Sequence, residues 1–413
     1  MNHRSAPVND LPLEVDARGG PFPLGMSPEQ FLRDYWQKRP LLIRNAFPDF
    51  QSPIQPEDLA GLSCEEGSLG RLVTHDPATD RWTVRTGPFQ EDEFPGMPDH
   101  DWTLLVQDVD KWDEDVRGLL AHFRFLPAWR MDDIMVSFAA PGGSVGAHID
   151  NYDVFLLQGV GHRRWQIDTR PNPDPTYRED VALRLLRHFD PDADWVLKPG
   201  DMLYLPPGVP HHGVAEDACL TISIGLRAPS SAELLEDHID VLTFDADETL
   251  RYVDPDLSMP ADPYEIDDAA LDRALAAMER LKMHDREQLA AWFGRFVSSY
   301  RVAAGQSPSE EAASGLSVAD TVAAGVVWRR HPYSRMAWRR AGDGAQLFAN
   351  ARLWACASVT DARRIAAVDL IETGWWESLG PGGQTLVQQL ADQGHFFPVE
   401  EDDEAHGDEA LLA

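Results

Sequence analysis

The chain has 413 residues, of which 69 are acidic and 36 basic, so its formal net charge at pH 7 is −33. A charge of this size argues against a nucleic-acid partner held by generic attraction to phosphates, but it allows a basic partner or adaptation to high salt. Three scattered cysteines predict neither a disulfide framework nor a cysteine zinc site, and no apolar run approaches the roughly 18 residues of a membrane span, so we expect a cytoplasmic protein.

The first part of the chain predicts an arm, a helix and then many strands. Residues 1–25 lack the apolar segment of a signal peptide and predict a flexible arm. Ser27 stands where a helix N-cap would lie, and Phe31, Leu32 and Tyr35 follow at helical spacing. From there to about residue 245, short strand-like runs alternate with Pro and Gly, which predicts an antiparallel sandwich or barrel. Residues 170–195 predict an insertion that contains one short helix.

Composition changes after residue 245. Residues 264–301 carry almost no Gly or Pro and have apolar residues at helical spacing, which predicts two helices. Their apolar faces suit either an ordinary core or a dimerisation surface. Residues 315–397 combine a hairpin candidate around Gly342-Asp343-Gly344 with a following helix, which fits a winged-helix-like module. This module has no decisive basic excess, so we expect no direct nucleic-acid binding; residues 398–413 predict a solvated acidic tail.

Two separated motifs supply candidate metal ligands. Residues two apart on an extended segment point to the same side, so His148 and Asp150 can offer a nitrogen and an oxygen to one ion. Alone this pair could arise by chance. Sixty-one residues later the segment "PPGVPHHG" delivers His211 and His212 from a rigid turn. Two histidines and one carboxylate leave open positions on an octahedral ion, which is the arrangement of non-heme Fe(II) oxygenases.

Two adjacent arginines follow the Gly159-Val160-Gly161 turn. The guanidinium group of Arg163 or Arg164 can hold a carboxylate through two parallel hydrogen bonds, although either residue alone can also be solvent-facing on a strand. Thirteen extended residues after Asp150 would carry the chain far from the metal ligands. A hairpin and barrel curvature must therefore bring the arginine back.

The quoted motifs resemble those of a known family. "YWQKRPLLIRNAF", "RMDDIMVSFAAPGGSVGAHIDNYDVFLLQG", "HRRWQI" and "PGDMLYLPPGVPHHG" look like the signatures of JmjC-type 2-oxoglutarate oxygenases, and most closely of the bacterial ribosomal oxygenases. The resemblance implies an α+β chain. It comprises a double-stranded β-helix, the cupin or JmjC jelly-roll barrel, as catalytic domain over residues 26–245, a helical dimerisation region over 246–305 and the winged-helix-like domain over 315–397.

The resemblance also implies roles for individual residues. His148, Asp150 and His211 match the iron ligands, and His211 is preferred to His212 because the family ligand directly follows the Pro-Pro-Gly-x-Pro turn. His212 would then be a neighbour of the site. Arg163 matches the residue that binds the distal carboxylate of 2-oxoglutarate, with Arg164 as the alternative.

Two further positions leave their roles open. The family serine that assists the distal carboxylate falls at Ala139, so either Ser137 substitutes for it or the arginine acts without it. Asp153 follows the ligand pair where relatives carry an acid. It could orient a ligand, receive a cationic substrate or serve only as a structural hydrogen-bond partner.

The implied activity is protein hydroxylation that uses Fe(II), 2-oxoglutarate and O2. By resemblance to the bacterial group, the substrate would be an arginyl residue of a basic large-subunit ribosomal protein, and the enzyme would be a homodimer. The acidic surface could steer such a substrate. The alternatives are histidyl hydroxylation of a ribosomal protein, lysine demethylation, and a non-catalytic metal-binding cupin or dimeric scaffold.

Overall fold

The computed structural model describes residues 11–18, 20, 23–244, 246–259, 264–281, 285–299, 308 and 315–399. These residues form two compact units, with the division between Ala228 and Pro229. The finer division of the chain given above stays a prediction. No helix in the described ranges is both long enough and apolar enough to cross a membrane.

The first unit is built mainly from strands, and helix α1 begins at the predicted cap. The Ser27 hydroxyl accepts a hydrogen bond from the Gln30 amide at 3.2 Å, which satisfies a donor of the first turn. The strands are β1 (Glu14–Asp16), β2 (Leu41–Arg44), β3 (Leu69–Asp76), β4 (Arg81–Thr86), β5 (Trp102–Gln107), β6 (Met131–Ala139), β7 (His148–Ile149), β8 (Val154–Val160), β9 (Arg163–Ile167), β10 (Ala193–Leu197), β11 (Met202–Leu205), β12 (Pro210–Ala215) and β13 (Cys219–Leu226); the helices are α1 (Pro28–Asp34), α2 (Pro56–Leu62), α3 (Val109–Trp112) and α4 (Glu114–Gly118), with 3-10 turns at Glu91–Gly96, Leu119–Phe123 and Ala128–Arg130.

The strands form two sheets that enclose the interior of a barrel. The larger sheet has the order β1-β2-β11-β8-β13-β6-β5-β3-β4 and the smaller has the order β10-β9-β12-β7. Side chains alternate between two apolar clusters: Phe155 and Leu157 join the large outer core, whereas Val154 and Leu156 pack with Trp165 inside the barrel. This arrangement and the comparisons reported below confirm the predicted jelly-roll barrel.

Two expectations for this unit are wrong. Part of the predicted flexible arm pairs with the sheet, because β1 lies parallel to β2 and Arg44 forms an ion pair with Glu14 at 2.8 Å. The insertion contains no helix in its described residues. Instead, Tyr177 and Leu186 form an isolated bridge, and Leu185 and Leu186 are buried. Burial of a neighbouring leucine pair suits an irregular loop laid over the barrel better than one helical face.

The second unit combines helices with two small sheets. The two helices predicted over residues 264–301 are present, and the predicted hairpin is part of a three-stranded sheet with the order β15-β16-β17. A second sheet has the order β18-β14-β19, and the core contains Trp328, Leu347 and Phe396. The helices are α5 (Ser231–Phe244), α6 (Asp268–Glu279), α7 (Arg286–Ser298), α8 (Val318–Ala323), α9 (Val359–Ala367), α10 (Thr373–Glu377) and α11 (Pro381–Asp392); the strands are β14 (Trp328–Arg330), β15 (Met336–Ala341), β16 (Gly344–Ala349), β17 (Arg352–Cys356), β18 (Leu370–Ile371) and β19 (Phe396–Pro398). The predicted acidic tail lies outside the described residues from residue 400 onward.

Candidate active site

The three predicted metal ligands meet at one end of the barrel. Strand β12 pairs with β7 so that His211 lies directly opposite His148, and their ring centroids are 4.2 Å apart. The Asp150 Oδ2 atom lies 3.9 Å from Nε2 of His148 and 3.6 Å from Nε2 of His211. The ligand atoms of all three residues lie within 4.8 Å of one another, so one ion can contact them all.

Backbone carbonyls select the ring nitrogens that face this point. Nδ1 of His148 lies 2.9 Å from the Gly146 carbonyl oxygen, and Nδ1 of His211 lies 2.9 Å from that of Val209. Each Nδ1 therefore carries the proton and donates it, which leaves the Nε2 lone pair free. This outer hydrogen bond fixes the tautomer and ring orientation that metal coordination requires.

Burial sets the electrostatics of the ligands. It lowers the pKa of His211 well below its usual value, and the neighbouring His148 acts in the same direction, so His211 is neutral and able to coordinate. Burial also raises the pKa of the Asp150 carboxyl, which the His148 ring partly opposes. A bound cation would supply the charge that offsets the desolvation of Asp150. The donor set of two imidazoles and one carboxylate fits a divalent iron with open coordination positions.

A tight turn between β8 and β9 carries the chain from the larger sheet to the smaller one and brings Arg163 back toward the ligands. Gly161 in this turn has a φ of +63°, and a Cβ atom there would lie 2.3 Å from the Ala218 carbonyl oxygen. Only glycine fits both the conformation and the close approach. Beyond the turn, Arg163 pairs with Ala215 of β12, four residues along that strand from His211. About 13 Å of strand therefore separates the arginine backbone from the metal end.

The guanidinium group of Arg163 is buried without an anionic partner. The residue is 3% exposed, and its Nη2 atom donates a hydrogen bond to the Gly213 carbonyl oxygen at 3.3 Å. Nε and Nη1 are buried and have no hydrogen-bond partner within the described ranges of the chain. An unpaired buried cation is costly, so the arrangement suits a ligand that brings a carboxylate. Gly213 makes room for the Arg163 side chain itself, since a Cβ atom there would lie 2.7 Å from Nε of Arg163.

The side chains of Arg164 and His212, the alternatives to Arg163 and His211, point away from the site. Arg164 faces outward and forms ion pairs with Asp194 at 2.7 Å and Glu216 at 2.5 Å. His212 follows His211 on β12, so its side chain lies on the opposite face, where Phe189 contacts its ring. Burial lowers the pKa of His212 to about 4. The structure brings neither residue into the cluster of the three ligands.

The two residues with open roles also have defined positions. Ser137 is buried on β6 and lies opposite Thr221 and Leu105. Asp153 is fully buried, and its carboxylate accepts hydrogen bonds from the Tyr204 hydroxyl at 2.7 Å, from Gln37 Nε2 at 2.8 Å and from Arg130 at 3.0 Å. Because both carboxylate oxygens accept these hydrogen bonds, the contacts support a structural hydrogen-bonding role for Asp153.

Two residues near the mouth of the barrel were missed by the sequence reasoning. Asp133 on β6 lies on the face opposite that of the outward-packed Ile134, and burial together with Asp110 and Asp108 raises its pKa to about 7. The Tyr152 hydroxyl interacts with Asp150, and the charge of Asp133 acts on it too. Successive side chains of β6 point to opposite faces, so the apolar Ile134 could have indicated from the sequence that Asp133 faces the other way. Tyr152 therefore places a hydroxyl group beside the candidate ligand Asp150, and Asp133 lies near enough to act on that hydroxyl electrostatically.

The chain was compared with known families and proteins. Residues 118–234 match the JmjC domain family, and residues 281–397 match the ROXA-like winged helix family. The ribosomal protein uL16 3-hydroxylase of Escherichia coli is 37% identical over 287 residues, which cover 68% of this chain and 74% of that protein. The probable ribosomal oxygenase of Haemophilus influenzae is 43% identical over 216 residues, 52% of this chain and 53% of that protein.

Solved structures extend the likeness to nearly the whole chain. The X-ray structure of E. coli ycfD matches with a TM-score of 0.81 at 32% identity and covers 91% of this chain and 99% of that one. A structure of YcfD described as a ribosomal oxygenase in complex with cobalt and 2-oxoglutarate matches with a TM-score of 0.78 at the same identity and coverage. These matches confirm the predicted family, the JmjC barrel and the winged-helix domain. The chain therefore belongs to the JmjC-domain ribosomal oxygenases and is an enzyme of the 2-oxoglutarate-dependent dioxygenase class.

Proposed function

We propose that the protein is an Fe(II)- and 2-oxoglutarate-dependent hydroxylase that acts on an arginyl residue of a large-subunit ribosomal protein. The observation that carries this proposal is the pairing of a three-ligand metal cluster with a buried, unpaired arginine inside one barrel. A metal site alone would suit many proteins. A metal site with a cation deeper in the same barrel suits a bound keto acid that carries a second carboxylate.

His148, Asp150 and His211 would hold the iron, and Arg163 would hold the distal carboxylate of 2-oxoglutarate. When bound, iron, 2-oxoglutarate and O2 supply the oxidising power that converts a substrate C–H bond into C–OH, with succinate and CO2 as the other products. The protein's part is to bind and orient. His211 and Arg163 are separated by roughly 13 Å of strand, a distance that the five-carbon diacid together with the long arginine side chain would span.

The charge at the barrel mouth supports a cationic substrate side chain. Asp133 lies among other acidic residues, and its carboxyl has a pKa raised to about 7 by burial and by these neighbours. A guanidinium group would offset that charge and can form bidentate hydrogen bonds with the carboxylate. A neutral imidazole would offset it less. The names of the relatives support a ribosomal protein as the substrate, and the basic character of such proteins suits a chain with a net charge of −33.

Turnover with purified components tests the proposal. The protein is incubated with Fe(II), 2-oxoglutarate and large-subunit ribosomal proteins, and succinate formation and the mass of each protein are measured. We expect succinate together with the gain of one oxygen atom on one protein, and we expect His148→Ala to abolish both. His212→Ala is the matched control, because that side chain points away from the cluster, and it should retain most of the activity. A scaffold without activity would give neither product.

A further inference from the structure

Thr103 carries a hydroxyl group that has no hydrogen-bond partner among the residues that the structure describes. The residue lies on β5 with 0% of its surface exposed, and its Oγ1 atom is buried without a hydrogen bond. An unsatisfied buried hydroxyl costs on the order of 1–3 kcal/mol. A threonine in this state needs an explanation, since valine has the same shape and would avoid that cost.

The position of Thr103 is set by strand pairing. Ala139 on β6 lies directly opposite Thr103 on one side and directly opposite Cys219 of β13 on the other. Directly opposed residues on adjacent strands point to the same face of a sheet, so the three side chains form one row across the sheet. The row lies six residues along β6 from Asp133, about 20 Å from the mouth. Thr103 is therefore at the deep end of the barrel.

Arg163 reaches the same row from the smaller sheet. It pairs with Ala215, and Ala215 packs with Ala139 and Cys219 in one buried cluster. The guanidinium group also interacts with the Cys219 thiol. Its Nε and Nη1 atoms, like Oγ1 of Thr103, have no hydrogen-bond partner. At the deep end, hydrogen-bond donors of Thr103 and Arg163 that have no partner in the described residues therefore lie on either side of Ala139. The side chain of Ala139 has no polar atom.

We propose that the Thr103 hydroxyl donates a hydrogen bond to the distal carboxylate of 2-oxoglutarate, opposite the bonds from Arg163. Neighbouring strands lie about 4.8 Å apart, so a carboxylate above Ala139 lies within one strand spacing of Thr103 and of Cys219. In this arrangement the hydroxyl that Ala139 lacks comes from the adjacent strand. The inference rests on the proposed function, because it assigns a residue to the co-substrate of that same site.

Ser137 is the competing hydroxyl, and its position favours Thr103. Ser137 lies two residues closer to the mouth on β6, opposite Thr221, whose own hydroxyl donates to Gln158 at 3.2 Å. It is therefore in the next row of the sheet and not in the row of Ala139.

Binding of 2-oxoglutarate to the Mn(II)-loaded protein tests the inference without turnover. By calorimetry, Thr103→Val should raise the dissociation constant for 2-oxoglutarate roughly tenfold, as expected for one lost hydrogen bond to a charged group. Thr103→Ser should bind nearly as wild type does. Ser137→Ala is the matched control and should leave the constant unchanged. The Mn(II) affinity and the melting temperature of the metal-free protein should not fall in Thr103→Val, because an unsatisfied hydroxyl is removed.

A rescue variant separates a binding role from a structural one. Adding Ala139→Ser to Thr103→Val returns a hydroxyl to the same row and should restore most of the lost affinity. Unchanged 2-oxoglutarate affinity in Thr103→Val, or a loss of affinity in Ser137→Ala instead, would overturn the inference. If the wild-type protein bound no 2-oxoglutarate, the proposed function would fail as well. If wild type and Thr103→Val bound it equally, this inference alone would fail.

Discussion

At the scale of single residues, Arg163 differs from its neighbour Arg164 in the surroundings of its guanidinium group. Arg164 is partly exposed and paired with two carboxylates, whereas Arg163 is buried and two of its nitrogens have no hydrogen-bond partner in the described part of the chain. Burial of the Arg163 guanidinium group is unfavourable in the absence of a ligand, because no attraction offsets the desolvation of its charge. The contrast supports the proposal that Arg163 binds a ligand, for a physical reason beyond its position in a motif.

Replacing Arg163 should therefore separate stability from binding. We expect Arg163→Met to lose measurable 2-oxoglutarate binding, while the free energy of unfolding of the metal-free protein rises by about 1–4 kcal/mol. Arg164→Met is the matched control, and it should bind 2-oxoglutarate as wild type does. Chemical denaturation and calorimetry measure the two quantities. Retained binding in Arg163→Met would refute the assigned role.

The raised pKa of Asp133 at the barrel mouth predicts that the free energy of unfolding depends on pH. Its folded-state pKa of about 7 lies above the usual value of 3.8, so the folded protein binds the extra proton more tightly than the unfolded chain does. The stabilisation that comes from this proton is fully present below about pH 4 and is lost as the pH rises through about 7. The difference in unfolding free energy between Asp133→Asn and wild type should therefore shift in favour of the variant between pH 5 and pH 8, by a few kcal/mol. Equal pH dependence in denaturant unfolding of both proteins would contradict the assignment.

At the scale of secondary structure, two turns and one strand pair build the metal site. The tight turn at Gly161 carries the chain from β8 to β9, and the Pro206-Pro207-Gly208 turn leads into β12. The pairing of β7 with β12 sets His148 opposite His211. The sequence contained the signals for both turns, and it predicted the three ligands. It could not distinguish Arg163 from Arg164, because a two-residue period allows either one to face inward. The tertiary pairing of β9 with β12 decides that choice.

Helix α6 presents an apolar face that its own unit does not cover. Leu271, Leu275 and Met278 lie on one side of the helix at 53%, 58% and 56% exposure, and no residue of α6 is buried. An uncovered amphipathic face of this kind suits a protein partner, and we propose a second copy of the chain. The predicted dimerisation region thus stays a proposal that the helix supports.

Charge placed on that face should separate the two copies. We expect light scattering to show a dimer for wild type and a monomer for the double variant Leu271→Glu with Leu275→Glu. Ala276→Glu adds a charge on the far side of the same helix and should leave the dimer intact. A wild-type monomer at micromolar concentration would contradict the proposal.

At the scale of the whole molecule, the net charge of −33 permits two explanations. If the acidic surface steers a basic substrate, kcat/KM should fall as the ionic strength rises from about 0.02 M to about 0.5 M, because salt shortens the range of the attraction. If it reflects adaptation to salt, activity and stability should both rise over this range. Steady-state kinetics at several salt concentrations distinguish the two explanations.

Features that depend on neighbouring residues were predictable from the sequence, and features that depend on distant contacts were not. Short-range patterns predicted the strands, the cap at Ser27 and the hairpin of the second unit. The role of Asp153 and the position of Thr103 depend on contacts between residues far apart in the chain, such as the bond from Tyr204 to Asp153. The same holds for β1, whose pairing with β2 replaces part of the expected flexible arm. No local pattern reports such contacts.

The location of the added oxygen tests the central claim most directly. Large-subunit ribosomal proteins treated with the enzyme, Fe(II) and 2-oxoglutarate are digested, and tandem mass spectrometry identifies the modified residue. The account predicts one added oxygen on an arginyl residue, absent without 2-oxoglutarate and absent with His148→Ala. An added oxygen on a histidyl residue with every arginine unmodified would contradict it.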